Sequence, residues 1–334
     1  MFHVDDVEPL GFAALRDVLK NGRQSHPAVM HGRHAEGDRA SDKRVQLTFP
    51  IEFNERIPFY GLVPGGAVPP TYLQGKTLVL DRNVVTSLEQ ADSDTRDEAV
   101  AAGERWSFSF LDTPSNTVNP ILGAFEGGTQ STPSLDEFRE DVTATTRSIK
   151  RSLPSVMVTT FSEDLLQRMY AWRKSFDERA ASEERFLQTV APLLHRTVAA
   201  RSLEQTASEV LRAADSCALK KGLVFLAVLA KLYESPGGSD WGTAQKLLKL
   251  RVPYSENDAY NALADLRQLE LLASSQGLAT PISLLTGDKA LALFWCGLKI
   301  HSAQIGKDSA RFNMNPDAEL FPRMPTERRA ELFS

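Results

Sequence analysis

Two short apolar runs, each ending in a polar residue that opens a helical pattern, constrain this chain more than any other feature. KTLVLDRNVVTSL (76–88) runs apolar from Leu78 to Leu80, then delivers Asp81 and Asn83 before a helical pattern begins. ISLLTGDKALALFW (282–295) breaks at Thr286-Gly287-Asp288 and turns helical in the same way. A strand that feeds directly into a helix is the repeating half of a parallel α/β sheet, and it leaves the polar residue at the strand's C-terminal edge, where ligands and metals gather. Either segment alone reads equally well as an N-cap, whose side-chain oxygen accepts a backbone N–H. The two together, with further acids between them, point to a site.

Two of those acids lie on apolar helical patterns. In NPILGAFEGG (119–128), Ile121, Leu122 and Phe125 share one helical face and Glu126 sits beside it. In DAYNALADLRQLELLA (258–273), Leu263, Leu266, Leu269 and Leu272 form a core stripe, the spacing of an amphipathic helix. Asn261 and Asp265 are four apart on that helix and therefore share a face.

The order of these motifs resembles the PIN domain: Asp-x-Asn after a first strand, Glu on a following helix, Asp on a later helix, and Thr-x-Asp after the next strand. LVLDRNV (78–84), GAFEGG (123–128), YNALADLRQLELL (260–272) and LLTGDKAL (284–291) carry the resemblance. It implies an α/β fold with a parallel sheet sandwiched by helices, and Mg²⁺- or Mn²⁺-dependent nuclease activity, on RNA in preference to DNA. By the same resemblance Asp81, Glu126, Asp265 and Asp288 are the catalytic, metal-binding acids, with Asn83, Thr286 and Asn261 as supporting polar groups. A toxin or defence role suits the family. The intervals from Asp81 to Glu126 and from Asp265 to Asp288 each fit one helical excursion and a return to the sheet. The interval from Glu126 to Asp265 is far longer than a compact domain of this type needs, so most of it reads as an insertion. Asp258 and Asp215 stay open as alternatives to Asp265.

This residue set suits the chemistry. Mg²⁺ takes hard oxygen ligands, commonly one or two carboxylates with several waters, and leaves room for phosphate oxygens. Such ions generate a hydroxide nucleophile and support the leaving oxygen during in-line attack. Clustered carboxylates also raise one another's pKa, so metal binding is expected to stabilise the fold.

With a formal net charge of −5 and a pI near 5.8, the chain has no global basic field to attract nucleic acid, and attraction must come from local patches. Lys220, Lys221, Lys246, Lys249 and Arg251 are the candidate substrate-binding cations, with Arg147, Lys150 and Arg151 as a further cluster; any one cluster reads equally as a solvated helix face. Cys217 and Cys296 belong to no CxxC pair and read as reduced core residues. His26, His31 and His34 fall in a stretch broken by Pro27 and Gly32, which reads as a surface loop rather than a metal site. No GxSxG, P-loop or GxGxxG is present. GLVFLAVLAKLY (222–233), the most apolar stretch, is too short to span a bilayer and is interrupted by Lys231. The chain reads as cytoplasmic, with no membrane partner.

Five regions are expected. Residues 1–75 form an N-terminal extension with a short helix (11–22), a polar loop and an extended Pro/Gly/aromatic stretch that packs on the body. Residues 76–133 begin the PIN-like core, with SFSFLD (107–112) as a short β segment. Residues 134–240 form a helical insertion: extra core, a lid, a recognition arm or a homo-oligomer contact. Its Met169, Tyr170, Trp172 and Phe176, at helical spacing, read as packing inward. Residues 241–310 complete the core, and 311–334 form a tail with little secondary structure. Two other functions compete with the nuclease: a PIN-like binding or regulatory module without catalysis, and a small-molecule phosphoesterase using the same acids. Convergence of the acids separates the first, and an open groove against a closed pocket the second.

Overall fold

The computed structural model describes residues 2–21, 23–36, 39–54, 58–90, 97–126, 133–220, 222–236, 242–277, 281–305 and 310–333. The chain begins with β1 (Phe2–Val7), α1 (Phe12–Asn21) and a long antiparallel pair, β2 (Arg23–Glu36) and β3 (Arg39–Asn54). These three strands form a separate sheet in the order β1-β2-β3. The stretch around His26, His31 and His34, expected as a loop, is therefore strand β2. Its Pro27 faces Pro50 across the ladder, and His31 Nε2 lies 3.0 Å from Glu8 Oε1.

The main sheet follows. β4 (Tyr60–Val63) and β5 (Gly66–Val68) form a hairpin, and β6 (Thr77–Leu80) leads into α2 (Arg82–Glu89) and α3 (Glu98–Leu111). β7 (Thr117–Asn119), α4 (Ile121–Glu126), α5 (Leu135–Ser152) and β8 (Met157–Val158) come next. Then four helices run in succession: α6 (Glu163–Leu194), α7 (Leu203–Ser216), α8 (Leu223–Leu232) and α9 (Thr243–Leu248). α10 (Glu256–Ser275), β9 (Ile282–Thr286), α11 (Lys289–Leu298), β10 (Ile300–Ile305), β11 (Ala310–Met314) and α12 (Thr326–Phe333) complete the chain.

The six-stranded sheet has the order β5-β4-β9-β6-β7-β8. β9, β6, β7 and β8 are parallel neighbours, and β4 joins β9 antiparallel. Its geometry follows from the strand sequences, whose alternate residues enter different cores. On one face Leu78, Leu80 and Leu285 pack with Val84, Val85 and Leu88 of α2, Phe108 of α3 and Ile149 of α5. On the other, Val79, Ile282 and Leu284 pack with α8, α10 and α11, including Trp295. The sheet is thus covered by helices on both sides, as an α/β reading of the two strand–helix segments requires. Full burial of each such Leu, Val or Phe contributes about 1.5–3 kcal/mol.

Helix starts are set by local chemistry. Ser134 and Glu137 form a capping box on α5, and Ser255 and Asp258 form one on α10, each satisfying two otherwise unpaired donors. Ser162 caps α6 through the Leu165 N–H. α8, the most apolar helix, is buried along its length; Lys231 is accommodated by a 2.6 Å contact with Glu234. Cys217 and Cys296 are free and buried. Among the described residues no helix is long and apolar enough to cross a membrane.

Four expectations are corrected. Residues 107–112 are not a β segment but the end of α3, since Ala101, Glu104, Phe108 and Leu111 are buried at helical spacing. The hairpin at 60–68 is not laid over the body: it belongs to the central sheet, and Gly66 is required there because a Cβ would lie 2.3 Å from the Leu10 carbonyl oxygen. The stretch 134–240 also supplies the sheet's edge strand, β8. Finally, the residues after 310 are no unstructured tail. They include β11 and α12, bury Leu320, Phe321 and Met324, and are held by Arg323, which donates to the Val198 carbonyl at 2.8 Å.

Candidate functional site

From β6 the chain progresses through β7 to β8, then crosses back to place β9 on β6's other side. The strand order reverses at the β6/β9 boundary, and in open α/β sheets the crevice beyond the strand ends at such a boundary is where ligands bind. The two carboxylates singled out from the sequence sit there. Leu80 pairs with Leu285, the Asp81 N–H donates to the Leu285 carbonyl at 2.9 Å, and both chains then turn into helices.

The Asp81 side chain is only 3 % exposed. Its Oδ2 accepts from Thr286 Oγ1 at 2.6 Å and its Oδ1 from Gln268 Nε2 at 3.3 Å. Thr286 in turn accepts the Asp288 N–H at 2.9 Å, so one hydroxyl ties the ends of the two strands together. Asp288 Oδ1 accepts from the N–H groups of Ala290 and Leu291 at 2.7 and 2.9 Å, capping α11. Its Oδ2 takes no hydrogen bond from the described residues, and the residue is half-buried. Asp288 is therefore both a cap and a partner carboxylate. Burial pushes the Asp81 carboxyl above the ordinary Asp value. The hydrogen bonds from Thr286, Gln268 and the Asn83 backbone pull it down, while the charge of Asp288 adds to the rise. Asn83 contributes through its backbone, and its side chain is exposed.

The remaining candidates are distributed differently. Glu126 is the last residue of α4; its side chain lies outside the described structure, but the preceding carbonyl, Phe125 O, accepts from the buried Arg173 Nε at 3.2 Å. Asp265 and Asn261 lie half-buried on α10, but the α10 side chain that reaches Asp81 is Gln268, one turn beyond Asp265. Asp258 is a helix cap. Its carboxylate accepts from Ser255 and takes a two-pronged contact from Arg251 at 2.9 and 2.6 Å, and these contacts hold it at about 2. Asp215 is exposed on α7. Arg251 is thus committed to Asp258. Lys220 and Lys249 are exposed, and Lys221 lies outside the described residues. Lys246 stands near Lys289: burial and the Lys289 charge hold its pKa below the ordinary Lys value. Lys289 follows Asp288 directly in the chain and opens α11.

One participant, Gln268, and two charged residues on neighbouring elements, Lys289 and Asp141, escaped the sequence reading. Gln268 was hidden because an uncharged amide on a leucine-rich helix carries no chemical signal of its own. Lys289 was masked by its place inside the strand–helix motif. Asp141 on α5 is pushed up by burial while the charge of Arg82, the residue after Asp81, draws it down. α5 runs alongside α2, with Ser152 Oγ donating to the Leu88 carbonyl at 3.1 Å.

The donors converging at the switch point are all hard oxygens: Asp81, Asp288 and the Thr286 hydroxyl. Among the described residues no group of three or more His, Cys, Asp or Glu side chains converges to hold a metal. Two carboxylates completed by water are nonetheless an ordinary donor set for Mg²⁺, so the residues fit such an ion. The aromatic residues of α6 pack as expected: Phe176 is buried, and Trp172 and Phe125 meet edge to face at 5.2 Å. Comparison with protein-family models, with curated proteins and with solved structures finds no match to this chain.

Proposed function

We propose that the chain is a PIN-like, divalent-cation-dependent nuclease acting on RNA in preference to DNA, in the cytoplasm. The observation that carries this reading is the pairing of Asp81 with Asp288 at the sheet's switch point, tied through Thr286. Asp81 and Asp288 would hold Mg²⁺ or Mn²⁺, which when bound lowers the pKa of water and offsets charge on a phosphodiester in transit to products. Thr286 fixes the Asp81 carboxylate and the start of α11 at once. Gln268 favours the ionised form of Asp81 by donating to it, and Lys289 and Lys246 attract the phosphate backbone. The low exposure of Asp81 excludes bulk water from its inner oxygens. Glu126 and Asp265 belong to the same proposal as the acids that complete the set.

A second reading rests on a specific observation. Gln268, not an acid, is the α10 side chain that meets Asp81, and Asp81 already accepts from two protein side chains. A binding or regulatory module that keeps the fold without cleaving would look like this. Cleavage of labelled RNA and single-stranded DNA in Mg²⁺ or Mn²⁺ separates the two. The nuclease reading expects metal-dependent cleavage that Asp81→Asn and Asp288→Asn both abolish. Cleavage retained in both variants would overturn it, and no cleavage with unimpaired nucleic-acid binding would establish the module.

A further inference from the structure

At the opposite edge of the central sheet, where β6 and β9 begin, the chain leaves a cleft of about 320 Å³. This lies within the range of small-molecule sites, which are roughly 300–1,000 Å³. The cleft arises because β4 and β9 pair only from Tyr60↔Thr286 to Leu62↔Leu284; beyond that point Val63 and Pro64 part from Ser283 and Ile282. Val63, Pro64, Val68, Pro281 and Ile282 give it apolar walls, and the two prolines offer no N–H donor.

Four polar side chains also line it: Lys76, Tyr72, Thr77 and Ser283. Lys76 is held by its backbone, its N–H donating to Asn116 Oδ1 at 3.3 Å and its carbonyl accepting the Thr117 N–H at 3.0 Å. Its ammonium has no carboxylate partner among the described residues. The hydroxyls of Tyr72, Thr77 and Ser283 likewise have no hydrogen-bond partner there, although Ser283 is only 3 % exposed. These groups open on the cleft rather than into the sealed core, so one ligand seated there can satisfy all of them at once. One ammonium and three hydroxyls can all donate, which matches a head group that only accepts.

We propose that this cleft binds a small amphipathic organic anion, its carboxylate on Lys76, Thr77, Tyr72 and Ser283 and its aliphatic body on the Val, Pro and Ile walls. The site is independent of the nuclease reading. It lies one strand length, about 13 Å, from Asp81, at the other end of β6.

The test is calorimetric titration of the full chain with octanoate and with the uncharged octanol, together with methyl NMR shifts at Val63, Val68 and Ile282. One-to-one octanoate binding that shifts these methyls is expected. Lys76→Gln should weaken it by about tenfold or more, the loss of a charged hydrogen bond, and Ser283→Ala should weaken it less. Octanol should bind more weakly than octanoate, and Asp81→Asn should change nothing. A cooperative melting transition in each variant, at or above the wild-type temperature, shows that it folds. Absence of saturable octanoate binding, equal binding by folded Lys76→Gln, or shifts confined to other methyls would overturn the proposal.

Discussion

Replacing Asp81 with Asn should stabilise the protein in the absence of metal. The carboxyl is 3 % exposed and its pKa is raised, with burial as the largest cause. A folded-state pKa above the unfolded value means that the folded chain holds the proton more tightly. Stability from this group is then full below the ordinary Asp value and is lost as pH rises through the raised one. Above that raised value the wild type carries the whole cost, about 1.4 kcal/mol for every tenfold displacement of the ionisation equilibrium. Asn has the same shape and no charge. Its oxygen accepts from Thr286, and its NH₂ meets Gln268 once that amide turns over to present its oxygen. Both hydrogen bonds survive, so the variant should gain about 1–3 kcal/mol at pH 7.5. Urea denaturation in EDTA from pH 5 to 8 reads this directly: the advantage should be largest at high pH and shrink as pH falls. Asp81→Asn less stable than wild type at pH 7.5 would refute the reasoning, because it would mean that the ionised carboxylate is a net stabilising group where it sits.

Other consequences follow from the same contacts. Thr286→Val keeps the shape but strips Asp81 of its shortest donor and the Asp288 N–H of its acceptor; it should cost about 1–3 kcal/mol in urea melts, and much less when combined with Asp81→Asn. Gly123→Ala would set a Cβ 2.6 Å from Thr145 Oγ1, forcing α4 from α5 at about 1–3 kcal/mol; the double variant with Thr145→Ala should recover most of the loss. Lys289→Gln should lower nucleic-acid affinity across sequences and reduce the slope of log K against log salt by about 1 if that lysine meets a phosphate; an unchanged slope would remove Lys289 from the interface.

The two strand–helix junctions were legible because each concentrates several local signals. Apolar β-branched and leucine runs, an acid at the N-cap position and an immediate helical period agree at 78–88 and 282–295, and local agreement of this kind is what specifies an element. The capping boxes at the starts of α5 and α10 are local signals of the same kind. SFSFLD misled because its alternation imitates a strand over a few residues; only with Ala101 and Glu104 does the helical period emerge. The β2/β3 pair was obscured by Pro27 and Pro50, which ordinarily demote a strand. Leu320, Phe321 and Met324 bury a segment whose sequence has no regular period, so nothing local announced it. At the site, Asp81, Thr286 and Asp288 stood out because their chemistry is tied to strand ends. Gln268 reaches Asp81 across 187 residues of chain, and a contact of that kind is fixed by tertiary packing rather than by any pattern along the sequence.

Whether Asp81 and Asp288 together hold a divalent cation is measured, without depending on a substrate, by electron paramagnetic resonance titration with Mn²⁺. The expected result is saturable Mn²⁺ binding by the wild type, competed by Mg²⁺ and weakened at least tenfold in both Asp81→Asn and Asp288→Asn, consistent with loss of a charged ligand. Mn²⁺ binding unchanged in the two variants, or none by the wild type, would contradict it.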